Sequence, residues 1–204
     1  MLYQLAYHII APVIIKPFLK LFNRMVYSGF DKIPADGGAV VIANHISMWD
    51  PVIMFCMIRR RAYFMGKSEL FRIPVLGPFL RRIGVFPVNR DAIDRAALKK
   101  SAQVLSEGNV LVIFPEGHRS KTGELLPFKE GAAYFAHRAG VPVIPVSFDN
   151  TRKIFPAGVG QKVRVTCGEP LDMTAFRGKK ADSALLEEMT NVFKDGIEKM
   201  LKSA

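Results

Sequence analysis

His45 and Asp50, an imidazole and a carboxylate five residues apart, are the first side chains in the sequence that could act together in proton transfer. His45 follows the apolar run 39–43, and Asp50 precedes Pro51, a residue that favours the first turn of a helix. A loop that folds back would let the carboxylate accept a hydrogen bond from one ring nitrogen and leave the other nitrogen as a base. The alternative is that Asp50 only caps the helix and His45 is incidental. The spacing alone leaves both interpretations open.

A second polar group follows the apolar run 110–114. Glu116, Gly117 and Arg119 stand close together in the segment after that run. At the end of a strand an acid and an arginine could hold a hydroxyl and an anion, and a glycine permits a tight turn and a close approach of backbone. A charged surface turn would contain the same residue types, so this segment by itself does not distinguish a binding site from an exposed loop.

Other motifs with chemical meaning are incomplete. Residues 66–68 resemble the end of a phosphate-binding loop, but Arg61 stands where its first glycine is required. The sequence has no G-x-S-x-G segment, so a serine hydrolase is not supported. The four histidines are scattered, and Cys56 and Cys167 lie far apart, which gives no zinc-ligand spacing. We therefore expect no metal ion, and two buried thiols in a reducing compartment.

Short apolar runs alternate with amphipathic segments along most of the chain, which indicates strands alternating with helices. The predicted strands are 39–43, 62–65, 110–114, 143–148 and 163–167, and the predicted helices are 51–58, 93–105, 130–139 and 184–201. This alternation predicts an α/β fold, a single domain with a largely parallel sheet flanked by helices. Because ligands in such folds bind beyond the carboxyl ends of the strands, we expect the two polar groups to meet there.

The N-terminus is apolar. Residues 1–15 carry no charged side chain when histidine is neutral. This run is shorter than the roughly 20 residues that a membrane-crossing helix needs, and Pro12 and Pro17 should kink or break it. The cations follow the run, whereas in a signal peptide they precede it. The segment therefore fits neither a transmembrane helix nor a signal peptide.

Three cations recur every four residues after this run, at Lys16, Lys20 and Arg24. On a helix they share one side, and the opposite side carries Phe18, Leu21, Phe22 and Met25. This pattern is typical of a helix that lies in a membrane interface, although an amphipathic helix packed on the domain would also show it. We predict that residues 1–28 form a membrane-associating helical segment and that residues 29–204 form the α/β domain.

The chain is strongly basic. Its 29 lysines and arginines against 18 acids give a net charge of +11. Such a charge favours nucleic acid, an anionic membrane or an acidic partner. A nucleic-acid-binding module would need cations interleaved with exposed aromatic residues, whereas most aromatic residues here stand in apolar runs. We therefore expect an anionic membrane lipid as a partner and no nucleic acid.

Taken together, four segments resemble the four motifs of the glycerophospholipid acyltransferase family. They are the His-x4-Asp segment 45–50, then 84–90, 114–120 and 141–146. The lead-in 28–34 also fits, and the resemblance spans about residues 28–172. One motif would be a weak signal, but four in order behind an apolar N-terminus are specific.

The resemblance implies a role for each matching residue. His45 would be the general base and Asp50 the group that orients it. Glu116 and Gly117 would position the glycerol of the acceptor. The family commonly has Thr or Ser where His118 stands, which leaves the identity of the acceptor open.

The same resemblance implies a binding site for the acceptor's phosphate. Arg90 and Arg119 would hold the phosphate, with Lys67 helping. Guanidinium groups suit this task because their N–H donors match a phosphate dianion. The family often has Asp where Asn89 stands, a departure that affects neither arginine.

The implied reaction transfers a fatty acyl group from an acyl thioester to the free hydroxyl of lysophosphatidic acid, giving phosphatidic acid. The donor would be acyl-CoA or acyl-acyl carrier protein, with no cofactor, and the enzyme would be monotopic on the cytoplasmic face of the cell membrane. Glycerol-3-phosphate or another lysophospholipid is an alternative acceptor. A catalytically silent membrane-bound relative and a nucleic-acid-binding module are the alternatives from other classes.

Overall fold

The protein is described here by a computed structural model, which covers residues 2–89, 94–154 and 157–203. Its centre is a seven-stranded sheet with the strand order β1-β7-β6-β2-β5-β3-β4. The strands are β1 (Arg24–Ser28), β2 (Ala39–Ala43), β3 (Ala62–Lys67), β4 (Val85–Val88), β5 (Val110–Ile113), β6 (Val143–Asp149) and β7 (Lys162–Cys167). All five predicted strands are present.

Five strands of the sheet run parallel to one another. β2 pairs in parallel with both β5 and β6, and β3 pairs in parallel with β5 and β4. β7 runs antiparallel to β6, and β1 pairs in parallel with β7, so the two strands at this edge run the opposite way. The prediction of an α/β fold with a largely parallel sheet is confirmed.

Helices cover both faces of the sheet. They are α1 (Leu2–Leu5), a π-helix (Ala6–Ile15), α2 (Lys16–Phe22), α3 (Trp49–Met57), α4 (Leu76–Arg82), α5 (Arg95–Ser106), α6 (Gly131–Ala139) and α7 (Ser183–Lys202). The α3 face carries the core packed against α3 and residues 2–22, and the α7 face carries the core packed against α5, α6 and α7. β2 supplies both cores because its side chains alternate: Val41 lies on the α3 face and Val40 on the α7 face.

The first three helical segments follow one another without a break and form the N-terminal helix (residues 2–22). The two prolines therefore do not break it, although they were predicted to kink or break it. The turns around the first proline widen into a π-helix, in which the Lys16 N–H donates to the Ala11 carbonyl five residues back. Pro17 is the second residue of α2, directly after the π-helix.

The N-terminal helix ends earlier than predicted, at Phe22. Asn23 adopts extended backbone and is buried, and its side-chain amide donates to the Lys153 carbonyl at 3.1 Å. Arg24 therefore does not share a helix face with the two lysines that precede it; it is the first residue of β1. The sheet thus begins within residues 1–28, five residues before the predicted start of the α/β domain.

Two further elements were not predicted from the sequence. α4 and β4 both lie between the predicted strand at 62–65 and the predicted helix at 93–105. Among the residues that the structure describes, no helix is long and apolar enough to cross a membrane.

Candidate active site

The five parallel strands all end at one edge of the sheet, here called the carboxyl edge, and polar residues follow them there. His45 comes after β2, Glu116 after β5 and Thr151 after β6, while Lys67 ends β3. β2 is the central strand of the seven, so His45 has a neighbouring strand end on either side. This arrangement explains how residues that are far apart in sequence reach one site.

His45 and Asp50 form a buried hydrogen-bonded pair. Nδ1 of His45 lies 2.9 Å from Oδ2 of Asp50, and the Asp50 side chain is fully buried. The same Oδ2 accepts the backbone N–H groups of Ile46 at 2.8 Å and Ser47 at 2.7 Å, so the loop folds back over the carboxylate. The proposed contact is confirmed. With Nδ1–H donating to Asp50, Nε2 of His45 is left as a proton acceptor.

The alternative interpretation, in which Asp50 only caps a helix, is wrong. α3 begins at Trp49, one residue before Asp50. The Asp50 carboxylate points back to the loop rather than to the first N–H groups of the helix. The His45 ring also stacks on Phe114, with ring centroids 4.3 Å apart. The carboxylate and the aromatic ring together fix the plane of the imidazole.

Thr151 is a member of this cluster that sequence analysis missed. Its Oγ1 donates to Oδ1 of Asp50 at 2.6 Å, and the residue is fully buried. It follows β6 after Asn150, whose backbone is left-handed with φ 60°, and this turn directs the chain back towards Asp50. Both oxygens of Asp50 are therefore occupied by donors. The position of Thr151 just after a predicted strand was the signal that could have identified this residue.

Asn44 is a second residue of this site whose role sequence analysis did not identify. Its side-chain amide donates to the Phe148 carbonyl at 2.9 Å, and its side-chain oxygen accepts the Phe148 N–H at 2.7 Å. These two bonds join the end of β2 to β6. The loop that carries His45 therefore starts from a fixed backbone position.

Glu116 connects the loop that carries His45 to the loop that follows β5, and its carboxylate does not face open space. Its Oε1 accepts the His45 N–H at 2.6 Å and its Oε2 accepts the Leu126 N–H at 3.0 Å. The residue is buried, and burial raises the pKa of its carboxyl group. The predicted contact between Glu116 and an acceptor glycerol stays a prediction, and the contacts present here are those of a group that positions the His45 loop.

Gly117 makes the turn that follows Glu116. Its backbone is left-handed with φ 72°, and its N–H donates to the Phe114 carbonyl at 3.0 Å. A side chain here would be strained, and its Cβ would lie 3.1 Å from the Lys129 side chain. Three residues later the Ser120 N–H donates to the His45 carbonyl at 2.8 Å, which is the second bond between the loops.

The three predicted phosphate ligands have different positions. Arg119 is exposed and immediately precedes Ser120, so it stands beside the His45 loop. Lys67 is half exposed and pairs with Glu69 at 3.0 Å. Lys67 is the last residue of β3, which lies two strands away from β2, a strand separation of about 10 Å. Arg90 lies outside the described residues.

Two clusters of basic residues, 59–61 and 152–153, lie at different edges of the sheet. Residues 59–61 follow α3 at the edge opposite to His45, where Arg61 stacks on Tyr3 and Tyr63. Arg152 and Lys153 follow Thr151 at the carboxyl edge and are exposed. Within the ranges that the structure covers, no three His, Cys, Asp or Glu side chains are grouped as ligands for a metal ion.

The fold and this edge define a class of protein. It is an α/β protein whose buried His–Asp pair is of the kind that general base catalysis uses, set beside exposed cations suited to an anionic ligand. Residues 24–149 match the model of the Acyltransferase family, from the first residue of β1 to the last residue of β6. The chain belongs to this family.

Individual relatives extend the similarity beyond those strands. A 1-acyl-sn-glycerol-3-phosphate acyltransferase of Bacillus subtilis is 30% identical over 185 residues, which cover 87% of this chain and 87% of the relative. The enzyme of the same name from Borreliella burgdorferi is 29% identical over 186 residues, covering 88% and 72%. The crystal structure of the 1-acyl-sn-glycerophosphate (LPA) acyltransferase PlsC from Thermotoga maritima aligns with a TM-score of 0.75 and 29% identity, covering 97% and 80%.

Proposed function

We propose that the protein transfers a fatty acyl group from an acyl thioester to the free hydroxyl of lysophosphatidic acid, giving phosphatidic acid. The observation that carries this proposal is the buried His45–Asp50 pair at the carboxyl edge of the sheet. Family membership and relatives that are named for this acyl transfer support it.

In the proposed mechanism, Nε2 of His45 takes the proton of the acceptor hydroxyl while the hydroxyl oxygen attacks the thioester carbonyl carbon. The tetrahedral intermediate then collapses. Its C–S bond breaks, and His45 returns the proton to the leaving thiolate. The Asp50 carboxylate holds the ring and stabilises the imidazolium that forms between the two steps. Because the donor is already a thioester, the step needs no nucleophile from the protein.

The acceptor's phosphate would be held by Arg119 and Lys67, with Arg90 as the third cation. Arg119 suits this role because it is exposed and because the N–H of its neighbour Ser120 donates a hydrogen bond to the His45 carbonyl. Lys67 ends β3 at the same carboxyl edge of the sheet as that loop. In this role the Lys67 ammonium would exchange its surface contact with Glu69 for the phosphate, a change of small cost because exposed ion pairs contribute little.

Membrane attachment would use the N-terminal helix. Several of its large apolar side chains are exposed, with Val13 64% exposed and Leu21 79% exposed. The cations Lys16 and Lys20 stand on the same stretch, which fits a helix lying on an anionic bilayer. The enzyme would then work as a monotopic protein on the cytoplasmic face of the cell membrane, where acyl-CoA or acyl-acyl carrier protein supplies the acyl group.

The test is product formation measured by mass spectrometry. Purified protein in mild detergent receives lysophosphatidic acid with acyl-CoA or acyl-acyl carrier protein in separate reactions. We expect phosphatidic acid from the wild type, and a loss of about 10²–10⁴-fold in kcat for His45→Ala, the usual contribution of a general base. His137→Ala, on α6, is the matched control and should retain activity. Full activity of His45→Ala would refute the assigned base, and glycerol-3-phosphate as the better acceptor would refute the assigned substrate.

A further inference from the structure

The segment between β3 and β4 exposes an unusual amount of apolar surface. It consists of a 3₁₀ turn (Ser68–Arg72), a short connection and α4. Its exposed large hydrophobic side chains are Leu70, Ile73, Val75 and Phe79. Val75 is 83% exposed, the highest value among the large hydrophobic side chains that the structure describes.

The backbone holds Val75 in this outward position. Its φ of 67° is sterically unfavourable for a β-branched residue, so packing around it must maintain the conformation. One such contact lies at Gly77, where a Cβ would stand only 2.4 Å from the Phe71 carbonyl oxygen. The chain therefore turns sharply around Val75 and leaves its side chain in solvent.

This segment lies on the same face of the sheet as the N-terminal helix. A Cβ placed on Gly66 of β3 would touch both the Phe71 ring and Val85, and Val85 packs against the core of the α3 face. The N-terminal helix contributes Ala11 and Leu19 to that same core. Two exposed apolar elements therefore share the α3 face.

The helices on the opposite face have no such surface. In the described part of the chain, no large hydrophobic side chain on α5, α6 or α7 is exposed. The segment is also basic: Arg72, Arg81 and Arg82 are exposed, and its one acid, Glu69, is paired with Lys67. Apolar groups flanked by cations are complementary to an anionic lipid surface.

We propose that residues 68–82 form a second membrane-contacting element, which together with the N-terminal helix docks the α3 face on an anionic bilayer. This inference rests on the proposed attachment through the N-terminal helix. Because Lys67 directly precedes the segment at the carboxyl edge, docking in this orientation would bring the acceptor's phosphate site to the lipid surface.

Site-specific fluorescence tests the contact in the full chain. The native thiols of Cys56 and Cys167 are buried, and burial raises their pKa values to about 11 and about 12, so both react slowly. An environment-sensitive fluorophore on Val75→Cys should shift to the blue and brighten several-fold with vesicles of phosphatidylglycerol and phosphatidylcholine. The same label on Val13→Cys should respond, whereas on Asn191→Cys of α7 it should not. A response at position 13 without one at position 75 would overturn this inference alone, and silence at both would also overturn the N-terminal attachment.

A charge-matched pair of variants separates docking from general attraction. Arg81→Gln with Arg82→Gln and Lys179→Gln with Lys180→Gln each remove two adjacent exposed cations, the second pair beside α6, where the Lys179 carbonyl contacts His137. We expect the first pair to weaken vesicle binding at least about tenfold and the second to leave it within about twofold, with unchanged melting temperatures. Equal losses from the two pairs would overturn the proposal.

Discussion

At the residue scale, the site depends on how the charge of Asp50 is accommodated. A buried carboxylate is costly unless donors surround it. Here two backbone N–H groups and His45 approach one oxygen, and Thr151 approaches the other from more than a hundred residues along the chain. Because Thr151 binds Oδ1, the other oxygen, Oδ2, stays directed at the imidazole. We therefore expect Thr151 to be a positioning residue that acts on His45 through Asp50.

Replacing Thr151 by valine tests that role, because the side chain keeps its shape and loses its hydroxyl. The Asp50 carboxylate would gain rotational freedom, so we expect kcat to fall about tenfold, or about 1.4 kcal/mol of transition-state stabilisation, with KM unchanged. Thr151→Ser should restore most of the activity. The matched control is Thr190→Val, which removes a hydroxyl that donates to the Leu186 carbonyl within α7. A loss of kcat from both valine variants would indicate a general effect on stability and contradict the positioning role.

Arg119 should affect the acceptor instead of the chemical step. Removing one guanidinium from a dianionic phosphate costs about 1.5–3 kcal/mol of charge-assisted hydrogen bonding, so Arg119→Ala should raise KM for lysophosphatidic acid about 10–100-fold. KM for the acyl donor should change little. Arg138→Ala, an exposed arginine on α6, is the control. A kcat effect with an unchanged acceptor KM would contradict phosphate binding by Arg119.

The hydrogen bonds of the site are of two kinds, between residues close in sequence and between residues far apart in sequence. The pairing of His45 with Asp50 was predictable because five residues of loop decide it. The bond from Thr151 and the two bonds of Asn44 span 101 and 104 residues, so they depend on the strand order and no local pattern carries them. The same reason explains Glu116: its type indicated a polar site, but only the loop packing shows that both its oxygens accept backbone N–H groups.

At the scale of elements, Asp94 connects β4 to α5. It caps α5 by accepting the Ala97 N–H at 2.9 Å, and it also accepts the Asn89 N–H at 2.9 Å. These backbone hydrogen bonds lower the pKa of its carboxyl group. Asp182 caps α7 in the same manner, through the Leu185 N–H, without a second bond to a strand end. The two caps therefore form a natural comparison.

We expect Asp94→Ala and Asp182→Ala each to lower the free energy of unfolding by about 1 kcal/mol, measured by chemical denaturation. Only Asp94→Ala should also raise KM for the acceptor, because it releases the end of β4 next to the predicted ligand Arg90. A lowered pKa in the folded state means that the Asp94 contribution is present above the ordinary Asp value of about 3.9 and is lost as the pH falls through the lowered value. Equal acceptor KM values for the two variants would contradict the link to the site.

Sequence analysis predicted the central elements and failed at the edges of the sheet. β2 and β5 are continuous apolar runs because both their faces are buried, and that pattern is unambiguous. β1 is mostly exposed and continues a basic amphipathic segment, so helical periodicity extended the predicted helix across Asn23. The end of the helix depends on where the Asn23 side chain finds partners, at residues 153 and 158. Such a long-range contact leaves no local signal.

At the scale of the whole molecule, the N-terminal helix contacts the segment that carries His45 and Asp50. Phe18 of the helix stacks near Trp49, with ring centroids 6.0 Å apart, and Trp49 is the first residue of α3 and the neighbour of Asp50. At its other end, Tyr7 donates to the Ile58 carbonyl beyond α3 at 2.6 Å. The helix thus spans the α3 face between its two edges. A surface bound to this helix would be held at a fixed orientation to His45.

Salt should separate the two forces that would hold the protein on an anionic lipid surface. The net charge of +11 attracts anionic lipid, and the screening length falls from about 10 Å at 0.1 M salt to about 3 Å at 1 M. Each basic residue near an anionic surface contributes about 1 kcal/mol, so screening the equivalent of two should weaken binding about thirtyfold. Sedimentation with phosphatidylglycerol-containing vesicles at 0.05 and 0.5 M salt measures this loss. Weak binding to pure phosphatidylcholine, supplied by the exposed apolar side chains, should not change. Salt-independent binding to both kinds of vesicle would mean that the basic charge has no part in attachment.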